Sequence, residues 1–160
     1  MHKNHSNMAS MGENHYPHLL IMAILSFISM YILMYAMVNT LGNVFNNFNE
    51  FYMAGLMTAP MVLIELIVMR AMYQDKKRNT LVIAGSILAG LLFFLLIRQQ
   101  IAISDKQFLR SMIPHHAGAI LMCQQASIQD EEIKALCKTI ISSQQAEIDQ
   151  MKAKLLELEK

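Results

Sequence analysis

Apolar positions are concentrated in the middle of this chain. Residues 19–98 form nearly continuous apolar runs, whereas residues 1–18 are polar and residues 99–160 mix apolar and polar positions. Three runs approach the roughly 20 residues that a helix needs to cross a bilayer core about 30 Å thick, namely Leu19–Val38, Phe51–Met72 and Leu81–Ile97. A chain of 160 residues has too little other mass to bury three such helices. The pattern therefore predicts a membrane domain of three spans over residues 19–98.

The loop charges predict how the spans are oriented. The first run follows a long polar tail and exceeds the roughly 7–15 apolar residues of a signal peptide, so we expect a retained span. The connection after the second run carries Lys76, Lys77 and Arg78, whereas the connection at 39–50 has no Lys or Arg. Because cytoplasmic loops are enriched in these residues, we expect the tail in the cytoplasm and residues 99–160 on the periplasmic side of a bacterial inner membrane. Arg98 is a weaker signal for the opposite orientation.

The segment 99–160 has the periodicity of two amphipathic helices. Apolar and donor residues recur at helical spacing from 108 to 126, and Ser104 with Gln107 has the pattern of a capping box. Pro114 should release the carbonyl of Arg110 and either kink this first helix or restart it beside the histidines. Asp130 is expected to cap a second helix that extends to about residue 158.

The short connection between these helices predicts an antiparallel hairpin. With the turn near residue 130, residues face each other when their numbers add to about 260. Cys123 then faces Cys137, and His116 faces Gln144. A buried amide requires a hydrogen-bonding partner, which an imidazole can supply.

Soft metal donors are concentrated on the predicted hairpin. The segment Met112-Ile-Pro-His115-His116 is followed by Met122-Cys123, and the second helix contributes Cys137, Gln144 and Met151. The whole chain has 15 methionines among 160 residues. Thioether, thiol and imidazole groups together suit Cu(I) or Ag(I) better than a hard cation. The residues therefore predict a site for one of these soft ions.

Residues 105–155 also resemble a known family. Its pattern here is Phe108-Leu-x-x-Met112-Ile-Pro-His115-His116-x-x-Ala-Ile120-x-Met122, then Leu136 through Gln144-x-x-Glu147-Ile148-x-x-Met151. This is similar to the CopM-like "domain of unknown function three hundred and five" family. The resemblance implies an extracytoplasmic helical bundle of ferritin-like shape and binding of copper or silver through Met112, His115, His116, Met122 and Met151.

The resemblance also bears on the oligomeric state. Tandem domains of the family can build a four-helix bundle, whereas one unit here supplies two helices, which implies pairing of chains. The expected fold is all-α, with three transmembrane helices followed by an antiparallel two-helix hairpin that is half of a ferritin-like four-helix bundle. The expected partners are the lipid bilayer and a second copy of the chain.

Each donor has an ordinary structural alternative. Adjacent histidines point about 100° apart on a helix, so one can bind a metal while the other orients it or faces water. Methionines at helical spacing are commonly core residues. Cys123 and Cys137 leave three interpretations open: a disulfide or switchable dithiol in an oxidising compartment, a Cu(I) thiolate pair, or inert packing.

Two further features lie outside the hairpin. The tail has histidines and methionines at spacings of three or four, which is typical either of a metal-catching segment or of an ordinary polar tail: His2, His5, Met8, Met11, His15 and His18. Glu65 lies in the second run, where a carboxylate costs on the order of 3 kcal/mol and usually faces a partner or a cavity. Thr58 or a neighbouring chain is the expected partner of Glu65.

These residues predict coordination rather than catalysis. Capture of Cu(I) or Ag(I) would provide copper or silver tolerance, or deliver the ion to an efflux or chaperone protein. We expect no enzyme, because no Glu precedes either histidine by three residues as di-iron bundles require. A net charge of +1 without a basic stripe argues against nucleic acid. The alternatives are a metal-free membrane interaction subunit, or a thiol redox protein that uses Cys123 and Cys137 without Cys-x-x-Cys spacing.

Overall fold

The structure, a computed structural model, describes residues 15–160 and contains five α-helices and no strand in that range. The helices are α1 (Tyr16–Leu33), α2 (Phe48–Val68), α3 (Lys76–Gln99), α4 (Asp105–Gln125) and α5 (Glu131–Leu158). Two short 3₁₀ segments, Met34–Met37 and Leu41–Asn43, lie between α1 and α2. The prediction of an all-helical protein is confirmed for the described residues.

Three helical segments are long and apolar enough to cross a membrane. They are α1 together with the 3₁₀ segment that follows it (Tyr16–Met37, 22 residues), α2 (Phe48–Val68, 21 residues) and α3 (Lys76–Gln99, 24 residues). Their outer surfaces expose large apolar side chains, such as Leu20, Ile67 and Leu81. Contiguous apolar surface of this extent marks membrane association. The prediction of three apolar helices is confirmed.

Polar caps place two of the helix starts earlier than the apolar runs suggest. The Asn47 side chain accepts a hydrogen bond from the Glu50 amide at 2.9 Å, so α2 begins at Phe48. The Asp75 carboxylate accepts from the amides of Lys77 and Arg78, so α3 begins at Lys76 rather than near residue 81. Each cap satisfies amides that the first helical turn leaves without partners.

The second span packs against both of its neighbours. Phe51 on α2 contacts Phe27 on α1 and Phe93 on α3, with ring centroids 4.9 and 6.3 Å apart. The ring of Phe93 also lies directly over Gly55, in the space that a β-carbon would occupy. The missing side chain of Gly55 therefore allows α3 to approach α2 closely.

Replacement of Gly55 by Ala is expected to destabilise the span bundle by about 1–3 kcal/mol, because the new methyl group overlaps the Phe93 ring. The matched control is Gly85→Ala on α3, where a β-carbon would meet nothing within 4 Å. That control should be neutral or slightly stabilising, since Ala favours helix over Gly. Thermal unfolding in detergent measures both variants, and equal melting temperatures would contradict the close contact.

The last two helices bury a common apolar cluster. Its fully buried members are Ile113, Ala117 and Ile120 on α4 with Ile148 and Leu155 on α5. Cys123 and Cys137 form a disulfide near the connection, and Arg110 contacts Glu159 at 2.7 Å near the far end. The start of α5 therefore lies beside the end of α4, and the end of α5 lies beside the start of α4.

The caps of this helix pair differ in one respect from the sequence prediction. Asp130 caps α5 by accepting from the Ile133 amide at 3.0 Å, as predicted. Ser104 precedes α4 without a side-chain cap bond, so the predicted capping box is wrong. The Gln107 side chain instead accepts a hydrogen bond from the Phe48 amide at 3.0 Å, because this tertiary partner competes with the local one.

The helix pair is seated on the connection between the first two spans. Val38 and Phe45 from that connection pack against the apolar cluster of α4 and α5. Pro114 leaves the Arg110 carbonyl without its helical donor. The side-chain Nδ2 of buried Asn47 lies 3.5 Å from that carbonyl oxygen and donates to it. These contacts hold α4 against the 3₁₀ segment that follows α1 and against the start of α2. Side chains from these three elements therefore come close together.

Candidate metal site

A cavity of about 360 Å³ lies where α4 meets the end of the first span and the start of the second. We refer to it as the junction cavity. Its lining includes five methionines, Met34, Met37, Met53, Met112 and Met122. The two titratable side chains in its lining are those of His115 and Glu50. The cavity therefore collects thioether sulfur with one imidazole and one carboxylate.

Each of the three elements contributes its donors at a spacing of three residues. Met34 and Met37 lie in the 3₁₀ segment, where side chains three apart are eclipsed and face the same side. Glu50 and Met53 occupy one face of the first turns of α2. Met112 and His115 do the same on α4, with Met122 further along that helix. Local helical geometry therefore directs donors from three elements into one space.

The donors of the junction cavity are partly exposed. Met34, Glu50 and Met112 are half-buried, whereas Met37, Met53 and Met122 are exposed on part of their surface. The ring of His115 is exposed and makes no hydrogen bond within residues 15–160. Its nitrogens are therefore available to a ligand that enters from the open side.

His116 has a different environment from its neighbour. Its side chain is nearly buried, with Nδ1 2.9 Å from the Met112 carbonyl oxygen and Nε2 2.6 Å from a Glu147 carboxylate oxygen. A carbonyl oxygen is an acceptor, so Nδ1 donates the first of these hydrogen bonds, and Nε2 is occupied by its contact with Glu147. The ring joins α4 to α5, and neither nitrogen is open to a metal while both contacts are held.

The partner of His116 also differs from the expected one. Glu147, rather than Gln144, contacts the imidazole, so the proposed register is displaced by three residues at this point. Gln144 and Glu147 lie on one face of α5, about one turn apart. The imidazole therefore pairs with the carboxyl group one turn beyond the expected amide.

The remaining predicted donors lie away from the junction cavity. Cys123 and Cys137 are bonded to each other, with α-carbons 5.2 Å apart, so neither offers a thiolate. Met151 packs against the apolar cluster, and Gln144 is half-buried on α5. The structure therefore brings Met112, His115 and Met122 together and leaves the other five predicted residues outside the cavity.

Four donor residues of the lining were not anticipated from the sequence: Met34, Met37, Glu50 and Met53. Three of them are methionines within apolar runs, where a thioether has the same pattern as any lipid-facing residue. Their spacing of three residues, at span ends that flank the Asn-rich connection, is the signal that could have found them.

No group of three or more His, Cys, Asp or Glu side chains in residues 15–160 is placed to hold a metal ion. Zinc and hard cations are bound by such groups of nitrogen, thiolate and oxygen donors. A metal in the junction cavity would therefore depend on thioether sulfur, which selects soft ions.

The predicted donors outside the helix pair fall in two places. His2, His5, Met8 and Met11 lie outside the described residues. His15, His18 and Glu65 line a second cavity at the other end of the spans. Thr58 hydrogen-bonds the Ala54 carbonyl at 2.8 Å, so it is not the partner expected for Glu65.

Comparisons with known proteins match most of the chain. Residues 94–155, from the end of α3 into α5, match a family described as "Domain of unknown function (DUF305)". Over 136 residues the chain is 36% identical to "Uncharacterized protein L153" of Acanthamoeba polyphaga mimivirus. The aligned residues cover 83% of this chain and 88% of the viral protein. No solved structure matches the chain.

Proposed function

We propose that this chain, which has a DUF305 match over residues 94–155 and belongs to one family with the mimivirus protein, is a membrane-anchored protein that binds Cu(I) or Ag(I) in the junction cavity. The observation that carries the proposal is the collection of five thioethers and one free imidazole around a single space. Met112 and His115 are the core ligands, and Met53 with Met34 or Met37 completes the sulfur set from the membrane side.

The chemistry of these donors favours a soft monovalent ion. Thioethers are neutral and polarisable, so they bind Cu(I) and Ag(I) but compete poorly with water for hard cations. They also lack the acidic proton of a thiol and do not form disulfides, so they remain ligands in an oxidising compartment. The half-buried Glu50 carboxylate supplies one negative charge near the bound cation. This set supports coordination rather than turnover.

The disulfide supports an extracytoplasmic position for the helix pair. Structural disulfides form and persist in oxidising compartments, and Cys123–Cys137 is such a bond. The Lys76–Arg78 connection favours the cytoplasm, which places the other end of the spans outside. In a bacterial cell the junction cavity would then face the periplasm, where it captures ions for tolerance or for delivery to an efflux partner.

The helix pair also has apolar surface available for a second copy of the chain. Ile133, Leu136 and Leu156 on α5 and Phe108 on α4 are about half exposed or more. Ile133 and Leu136 lie one turn apart on α5, whereas Leu156 lies on the other side of that helix. An antiparallel hairpin supplies two helices of a four-helix bundle, so a second copy of the chain would cover Ile133 and Leu136.

Competition with a chromophoric Cu(I) chelator tests the proposed function. The full chain in detergent is expected to withdraw Cu(I) and Ag(I) from the chelator, because both ions prefer thioether ligands. Failure to withdraw Cu(I) would refute the proposal.

The two adjacent histidines are expected to respond in opposite ways to substitution. His115→Ala should weaken Cu(I) binding at least about tenfold, because even indirect metal contacts are worth that much. His116→Ala should leave Cu(I) affinity unchanged but lower the free energy of unfolding by about 1–3 kcal/mol, since it removes a nearly buried hydrogen-bonded ring. Chelator competition and denaturant unfolding measure the two effects. A folded His116→Ala protein with the same metal loss as His115→Ala would overturn this assignment.

A further inference from the structure

A second cavity of about 360 Å³ lies at the opposite end of the spans, between the start of α1 and the end of α2. We refer to it as the opposite cavity. Its lining consists of His15, His18, Leu19, Met22, Glu65, Met72 and Tyr73. The length of α1 separates it from the junction cavity, about 27 Å for 18 residues. We propose that the opposite cavity is a separate binding site for Cu(I) or Ag(I), with His15 and His18 as the nitrogen ligands and Met22 and Met72 as the sulfur ligands.

The two imidazoles are spaced for one shared ion. The ring centroids of His15 and His18 are 6.4 Å apart. Metal–imidazole bonds are about 2 Å long. Two imidazoles that bind one ion from opposite directions therefore have ring centroids roughly 6 Å apart. The two residues are one helical turn apart at the start of α1, which keeps the rings on the same side. A two-coordinate nitrogen arrangement of this kind needs no third imidazole, thiolate or carboxylate.

Two thioethers extend the donor set. Met22 is half-buried one turn beyond His18, and Met72 lies in the connection after α2. Both side chains line the same space as the two rings. Since sulfur ligands select soft ions, they would discriminate between Cu(I) or Ag(I) and the divalent ions that imidazoles also accept.

The charge of the opposite cavity favours a cation. Half-buried Glu65 lines it and forms no salt bridge to Lys or Arg within residues 15–160. Tyr73 interacts with the Glu65 side chain in this cavity. A cation bound in the opposite cavity would share its lining with the Glu65 carboxyl group, whose ionised form would compensate the charge of the cation.

This inference goes beyond the proposed function, because it concerns different residues at the other end of the spans. The segment with His2, His5, Met8 and Met11 joins the chain at His15, so its donors precede the opposite cavity in sequence. The experiment must therefore separate ions held by the cavity from ions held by that segment, and both from ions held by the junction cavity.

The test counts Cu(I) equivalents retained by the full chain in lipid nanodiscs against a competing chelator. Four variants are compared with the unmodified protein: His15→Ala with His18→Ala; Met22→Leu with Met72→Leu; a tail variant with His2→Ala, His5→Ala, Met8→Leu and Met11→Leu; and His115→Ala. The matched control is Met69→Leu, an exposed methionine that does not line the cavity. Circular dichroism verifies that each variant is folded.

The first variant should lose one Cu(I) equivalent, and the second should weaken that equivalent at least about tenfold. The tail variant and Met69→Leu should retain it. Retention of that equivalent after replacement of His15 and His18, or its loss in the tail variant, would overturn the proposal. Failure of the proposed function is recognised separately, because His115→Ala would then leave both equivalents unchanged.

Discussion

Replacement of Met53 and Met112 by Leu in the same chain is expected to weaken Cu(I) binding in the junction cavity by about a hundredfold or more, since each substitution removes one sulfur ligand and even indirect contacts are worth about tenfold. The two residues come from different parts of the molecule, one from span α2 and one from helix α4. Loss of affinity in both single variants would therefore show that the ion joins the membrane domain to the helix pair. Leu conserves volume and apolar character, so the fold should persist.

The control for this experiment is Met151→Leu, which alters a methionine packed against the apolar cluster rather than the cavity. Its Cu(I) affinity should equal that of the unmodified protein in the same chelator competition. Equal affinity of the Met53 and Met112 double variant and of the Met151 control would show that thioethers of the junction cavity do not bind the ion.

Removal of the disulfide by Cys123→Ser with Cys137→Ser is expected to lower the free energy of unfolding of the helix pair by about 3 kcal/mol. The bond closes a loop with a sequence separation of 14 residues, and a loop of about this length restricts the unfolded chain by that amount. Denaturant unfolding followed by circular dichroism measures the loss, and reduction of the unmodified protein should reproduce it.

The same double variant distinguishes a structural disulfide from a thiolate site. Because the sulfurs of Cys123 and Cys137 lie outside the junction cavity, Cu(I) stoichiometry should be unchanged as long as the variant is folded. Loss of one Cu(I) equivalent from a folded variant would instead assign the cysteines to a metal site. Unchanged stability in both the variant and the reduced protein would contradict the structural role.

The membrane helices were predictable because length and apolar character alone determine whether a helix can span a bilayer. Their ends were less predictable. Asn47 and Asp75 extend α2 and α3 beyond the apolar runs by capping their first turns, and a polar cap does not register in a hydropathy pattern. The start of α4 shows the reverse limit, since Gln107 leaves the local capping box for an amide 59 residues away.

Three of the seven donors that line the junction cavity were predictable from the sequence, and four were not. All six histidines lie in the amino-terminal tail, at its junction with α1, or at 115–116, so His115 beside Met112 is a visible signal in the sequence. Met34 and Met53 carry no such signal, because methionine in an apolar run is an ordinary core or lipid-facing residue. Only the seating of α4 on the connection between α1 and α2 shows that these sulfurs share a space with His115. The role of His116 likewise depended on Glu147, which no spacing rule places opposite it.

Copper-edge X-ray absorption of the full chain, loaded with Cu(I) in lipid nanodiscs, identifies the atoms that bind the ion. We expect a first shell that contains sulfur together with imidazole nitrogen, with the sulfur contribution reduced in the Met53→Leu and Met112→Leu double variant. A first shell of nitrogen and oxygen alone, or a sulfur contribution that the double variant leaves unchanged, would contradict binding of the ion by the methionines of the junction cavity.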